Sequence, residues 1–180
     1  MWTRAPNDVW VGGASAVDGG STEAVTMHFD GNQWTSATLP NGSEVRALWG
    51  TSSGDRWAAT SFGALFHYEG TAWVLVPDAV PDNTGSSATW GTGPKDLWLG
   101  TLHFDGTTWT RAPRDGFVAV MSMYGRSTKD IWAVDAMGEV LHYEGDSWKL
   151  TSTVTGTAIT GAGDDLWIVG HHGSILHKHL

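Results

Sequence analysis

No cysteine occurs in these 180 residues, which excludes a disulfide framework, a thiol nucleophile and a thiolate metal site. Basic residues are scarce. Ten lysines and arginines stand against nineteen aspartates and glutamates, a formal net charge of −9, and they are spread thinly. Phosphate backbones and anionic bilayers are recognised by clustered Lys and Arg, so neither nucleic acid nor a membrane is expected as a partner. No apolar run approaches the roughly 18 residues that cross a bilayer, and the N-terminus has no basic segment followed by an apolar one. The chain reads as soluble, with no signal segment in it. Helical periodicity is missing too: no window of about 11 to 18 residues repeats apolar positions at helical spacing.

What is present is repetition. Twelve tryptophans and 24 glycines dominate the composition, and the stretches "NDVW", "GDRW", "KDLW", "KDIW" and "DDLW" place Asp8, Asp55, Asp96, Asp130 and Asp165 two positions before Trp10, Trp57, Trp98, Trp132 and Trp167. The anchors are 47, 41, 34 and 35 residues apart. Downstream, "MHFDGNQW", "FHYEGTAW", "LHFDGTTW" and "LHYEGDSW" repeat a second cassette, and "ILHKHL" begins a fifth copy. Each full unit reads as four short strands; in the second they are "EVRALWG", "RWAATS", "ALFHYEG" and "TAWVLVP". Four-stranded units at this period predict an all-β fold, a β-propeller of five blades, the last lacking its outer strand. The expected organisation is a single domain over 1–180, with blades near 1–43, 44–84, 85–114, 115–155 and 156–180.

The acid-glycine pair lies between the third and fourth strands, where glycine reaches positive φ without a Cβ clash and closes a tight hairpin. The tryptophan three residues later opens the outer strand. On these turns the chain resembles the tryptophan-rich bacterial propeller repeats related to the Asp-box or BNR families, although its turns are one residue tighter than the Asp-box spacing of acid, any residue, glycine. The resemblance covers essentially the whole chain and implies the propeller fold. The unit count is similar to that of tachylectin-like lectins, and the richness in Trp, Thr and Gly is similar to secreted bacterial propellers, implying an extracellular or cell-surface setting.

Three irregularities stand out. The first unit carries "GGASAVDGGSTEAVT" between its second and third strands, which predicts a long loop of the kind that carries function on a rigid scaffold. The third runs from "DLWLG" straight into "TLHFDG", which leaves no room for the usual hairpin and reads as a truncated one or as closed-up numbering. Met1 aligns with the middle of a first strand and the chain stops on a third, so ring closure is expected to be imperfect or to use another chain. The edge strand Ser174 to Leu180 is then a candidate for self-association, since an unpaired edge invites strand addition.

The five repeated histidines, His28, His67, His103, His142 and His177, fall one per unit, around a ring rather than around an ion, and so predict structural hydrogen bonds. The repeated aspartates read as turn or backbone caps. No metal and no cofactor is expected. A propeller hydrolase is the least supported reading: the six arginines are scattered, and no phosphate loop, HExxH pattern or nucleophile elbow occurs, so no catalytic residue is assigned. The expected function is non-catalytic ligand binding, with carbohydrate as the ligand, and a protein-interaction or structural assembly module as the alternative. The candidate ligand-binding residues are Trp2, Trp49, Trp90 and Tyr124, aromatic positions where the first strand leaves each blade, with Asp78, Asp82, His171 and His172 on loops of one rim.

Overall fold

The computed structural model describes residues 1–40, 42–52, 54–61, 63–77, 87–114, 119–153 and 155–180. It is all-β, built of five antiparallel sheets in chain order. The first contains β1 (Trp2–Ala5), β2 (Asp8–Ala16), β3 (Thr22–Phe29) and β4 (Trp34–Leu39). The second contains β5 (Val45–Ser52), β6 (Asp55–Thr60), β7 (Leu65–Tyr68) and β8 (Trp73–Leu75). The third contains β9 (Thr89–Gly93), β10 (Asp96–Leu99), β11 (Leu102–Phe104) and β12 (Trp109–Arg111). The fourth contains β13 (Val120–Ser127), β14 (Asp130–Asp135), β15 (Val140–Tyr143) and β16 (Trp148–Ser152). The fifth has three strands, β17 (Gly156–Ala162), β18 (Asp165–Gly170) and β19 (Ile175–His179). Every sheet is a meander in which sequence neighbours pair. The chain divides into two compact units, residues 1–85 with the first two sheets and 86–180 with the other three.

The acid-glycine hairpins form as their chemistry dictates. Asp30 Oδ1 accepts the amides of Asn32 and Gln33 at 2.8 and 2.9 Å, and Asp105 Oδ1 accepts those of Thr107 and Thr108, both at 2.8 Å. These backbone bonds hold both carboxyls below the usual 3.8. Gly31 follows at φ 98°, a conformation closed to most side chains. Two expectations about hairpins change. The long stretch of the first unit is not a loop: β2 and β3 stay paired out to Ala16 opposite Thr22, and only Val17–Ser21 turns. Its small and β-branched residues extend the ladder instead of leaving it. In the third unit Leu99 pairs with Leu102 across a two-residue connection, Gly100-Thr101, so the hairpin is complete but minimal.

Sheets pack face to face, and the core lies between them. Within residues 1–85, Trp10, Ala24 and Leu39 of the first sheet meet Val45, Leu48, Ala58 and Phe66 of the second. Within 86–180, Trp98 of the third sheet meets Ile131, Ala133, Leu141, Tyr143 and Trp148 of the fourth, and Trp132, Val134 and Val140 of the fourth meet Ile159 and Leu166 of the fifth. A recurrent device sets the spacing. A Cβ on Gly125 would sit 2.4 Å from the Trp90 ring, and one on Gly161 would sit 2.5 Å from Tyr124, so each glycine receives the first-strand aromatic of the preceding sheet.

Candidate functional site

Each sheet carries the same cluster of an aspartate, a histidine and a tryptophan. The aspartate opens the second strand, and the histidine lies opposite the tryptophan in the register between second and third strands: Trp10 with His28, Trp57 with His67, Trp98 with His103, Trp132 with His142 and Trp167 with His177. All five pairs stack, with ring centroids 4.2, 4.3, 4.4, 4.0 and 3.9 Å apart. Each histidine Nε2 then meets its aspartate, at 3.0 Å for Asp8, 2.7 for Asp55, 2.8 for Asp96 and Asp130, and 2.7 for Asp165. Trp10 and Trp132 donate their indole N–H to Asp8 and Asp130 at 3.0 and 3.1 Å. The histidines are therefore structural hydrogen-bonding groups, as expected. The aspartates differ from expectation: these carboxylates bond side chains rather than cap the backbone, because each stacked histidine, and in the first and fourth sheets the indole N–H as well, points a ring nitrogen at them.

The clusters make stability depend on acid. Burial pushes the Asp8 carboxyl up, but the bonds from Trp10 and His28 and the charge of Arg56 outweigh it and leave it below 3.8. Burial likewise raises Asp130, while His142 and Arg126 bring it below 3.8. A carboxyl with a lowered folded pKa contributes stability that is complete above its unfolded value and is lost as the pH falls through its folded value. The melting temperature is expected to fall as the pH drops below about 4, and to fall less in Asp130→Asn, which has no proton to take up there. Thermal melts between pH 7 and 2.5 check this; a melting temperature unchanged to pH 2.5 would contradict it.

Above the first of these clusters the two sheets of residues 1–85 leave a cleft of about 360 Å³. Its walls carry the rings of Trp10, His28, Tyr68 and Trp73, and the hydroxyls of Thr26, Thr35, Ser36, Thr38 and Thr71. Trp73 crosses from the second sheet to donate its indole N–H to Thr26 Oγ1 of the first at 3.0 Å, and its ring stands edge-on to Trp10 at 5.8 Å. Thr35, Ser36, Ala37 and Thr38 belong to β4, the exposed outer strand of the first sheet. No carboxylate and no lysine or arginine lines the cleft among the described residues.

The residues singled out from sequence are spread over both units. Trp2 is half-buried beside Gly50 and the Arg56 guanidinium, and Trp90 and Tyr124 are half-buried against the glycines of the following sheets. Trp49 is half-buried and paired with Trp57 in the strand register. Asp78 and Asp82 lie outside the described residues. His171 and His172 occupy a 3-10 turn joining β18 to β19, their rings 6.5 Å apart, with His172 in the left-handed region at φ 58°. His171 lines a second cleft, of about 300 Å³, with Met121 and Met137. Among the described residues no cluster of three or more His, Asp or Glu is placed to hold a metal ion.

No protein-family model matches the chain, and no curated protein matches it. Solved structures do. The chain is similar to YCF48 bound to D1 peptide, with 16% identity over 96% of this chain and 60% of that one, and a TM-score of 0.61. It is also similar to the extracellular domain of BT4673, a putative one component system of B. thetaiotaomicron, with 12% identity over 91% of this chain and 27% of that one, TM-score 0.63. A third is PorZ, a surface component of the type-IX secretion system of Porphyromonas gingivalis, with 11% identity over 94% of this chain and 28% of that one, TM-score 0.63. The fold is a β-propeller. The chain spans about 60% of the length of YCF48 and less than a third of the other two. At these identities the propeller likeness concerns the fold, and function has to be argued from the site.

The cleft was missed because its walls come from two repeats. Tyr68 and Trp73 read from sequence as repeat positions, and nothing in the spacing places them opposite Trp10. The legible signal is the run of hydroxyls in "QWTSATL", whose side chains have to face something polar or solvent.

Proposed function

We propose that this propeller is a non-catalytic binding protein whose ligand is carbohydrate, held in the cleft between its first two sheets. The observation that carries this is the lining: four rings beside five hydroxyls, in a volume within the usual range of small-ligand sites. Sugar faces stack on aromatic rings while their hydroxyls exchange hydrogen bonds with Thr and Ser. Hydrolysis of a glycoside generally needs two carboxyl groups flanking the bond, and the described lining supplies none. The acid-glycine hairpins support a lectin-like, Asp-box-related architecture within this reading. An extracellular or surface setting goes with it, supported by the BT4673 domain and PorZ; labelling on intact, unpermeabilised source cells checks that setting, and labelling only after lysis contradicts it.

A second reading has its own observation. β4 runs along the cleft as an outer edge, and such an edge can accept an extended peptide by strand addition. YCF48, similar in fold, is bound to a peptide. A glycan array and a peptide library, probed in parallel, separate the two. The expected result is glycan binding that Ala37→Arg, at an exposed position in the cleft wall, weakens about tenfold or more, equivalent to about 1.4 kcal/mol, without lowering the melting temperature. Glycan binding untouched by Ala37→Arg removes this site; peptide binding alone installs the second reading; hydrolysis of any glycan removes the non-catalytic one.

A further inference from the structure

We propose that Met121, Met137 and His171 hold a soft monovalent metal ion, Cu(I), in the cleft between the fourth and fifth sheets. The three side chains come from three separate elements, all within residues 86–180, and line one cavity of about 300 Å³. Their chemistry selects the ion. Two thioether sulfurs and an imidazole favour Cu(I), whereas calcium and magnesium take oxygen ligands and zinc takes thiolates, imidazoles and carboxylates. Asp135 is the one carboxylate on the described lining, and it is already committed. It is buried, its Oδ1 accepts the amides of Met137 and Glu139, both at 2.9 Å, and its Oδ2 accepts Arg114 Nη2 at 2.9 Å.

Each donor is placed by its backbone. Met121 is the extra residue of a bulge in β13: Val120 pairs with Asp135 and Ser122 with Val134, which leaves Met121 out of the ladder. Bulges re-aim the side chains they carry. The Ser87 hydroxyl lies 3.9 Å from Met121 Sδ, a weak bond that orients the sulfur and takes one of its two lone pairs. Met137 sits in the turn from β14 to β15 that Asp135 ties together. Gly138 follows it at φ 83°, and a Cβ there would sit 3.0 Å from Thr155 Cα. His171 opens the turn from β18 to β19 directly after Gly170, where a Cβ would sit 2.2 Å from the Thr155 carbonyl oxygen. Both turns are therefore pressed against the same residue, which brings Met137 and His171 to one cavity.

Availability sets His171 apart from the repeat histidines. Those five each hold a ring nitrogen between 2.7 and 3.0 Å from an aspartate, and His179 approaches Asp165 as well. The His171 ring has no hydrogen-bond partner among the described residues, so an imidazole nitrogen is open to a metal. With no cysteine in the chain, the two methionines are the soft donors beside it.

Titration of the full chain with Cu(I) in the absence of oxygen, against a coloured Cu(I) chelator, tests this, with Ag(I) as the stand-in ion for NMR of the methionine methyl groups. The methyl signals of Met121 and Met137 are expected to move with Ag(I), while those of Met1, Met27 and Met123 stay in place, and Ca(II) should move none of them. Met121→Leu, Met137→Leu and His171→Gln should each weaken Cu(I) binding tenfold or more without lowering the melting temperature, since leucine keeps the volume and removes the sulfur and Met137 is 69% exposed. If Met121→Leu melts early, the other two variants carry the test. Cu(I) binding no tighter than that of the Met137→Leu/His171→Gln double variant overturns the proposal, as do five methyl signals that move together. Met121 and Met137 signals that respond to an apolar peptide but not to Ag(I) overturn it in favour of a peptide-docking surface.

Discussion

Replacing Arg56 with alanine is expected to destabilise the first two sheets by about 3 to 5 kcal/mol, the usual consequence of removing one member of a buried ion pair. Arg56 is 1% exposed, and its Nη2 donates to both Asp8 oxygens, at 3.1 and 3.3 Å. Its guanidinium lies over the Trp10 ring at 4.2 Å, with the Trp2 and Tyr68 rings at 5.3 Å. Burial draws its pKa below the usual arginine value and Asp8 opposes that, the balance expected of a cation held in a dry site by its counter-ion. Truncation leaves a void among three rings and an aspartate without its cation. Urea unfolding should show a lower midpoint with an unchanged slope. Asp8→Asn added to Arg56→Ala should cost much less than it does alone, because the two side chains share one interaction. A loss below about 1 kcal/mol would mean the pair is worth no more than one at the surface.

Trp98→Ala is expected to have a comparable effect in the other unit, about 3 to 5 kcal/mol, as for other fully buried large aromatics cut back to a methyl. Trp98 has no exposed surface, stacks on His103 and is enclosed by Tyr143 and Trp148 from the fourth sheet. Its removal opens a cavity that two rigid sheets cannot collapse to fill. Trp98→Phe should be far milder: the Trp98 Nε1 is buried with no acceptor among the described residues, so no hydrogen bond is given up. Equal losses for the two variants would show that ring packing is not the source of the effect.

These two side chains mark where sequence reasoning reaches its limit. Trp98 was legible as a core residue because it recurs at a fixed place after an aspartate, and repetition signals a structural part. Arg56 was not, because it occupies the place of Val9, Leu97, Ile131 and Leu166 and so looks like a polar misfit in an apolar series. Its counter-ion lies 48 residues earlier, in another sheet. Trp2, Trp49, Trp90 and Tyr124 show a related limit: periodicity identifies equivalent positions without saying what each ring touches, and three of these rings are packed against glycines.

The sequence by itself determined the strands, their grouping by fours, the acid-glycine hairpins and the three-stranded last sheet, since each rests on contacts between residues a few positions apart. It also determined that the histidines are structural, because five copies of one role leave no singular site. Only the tertiary structure decided which faces meet. Tyr68 and Trp73 over Trp10, Arg56 on Asp8 and the hydroxyl-lined cleft beside β4 are agreements between residues some 40 to 60 positions apart, and alternation along a strand says which side a residue takes without saying what waits there.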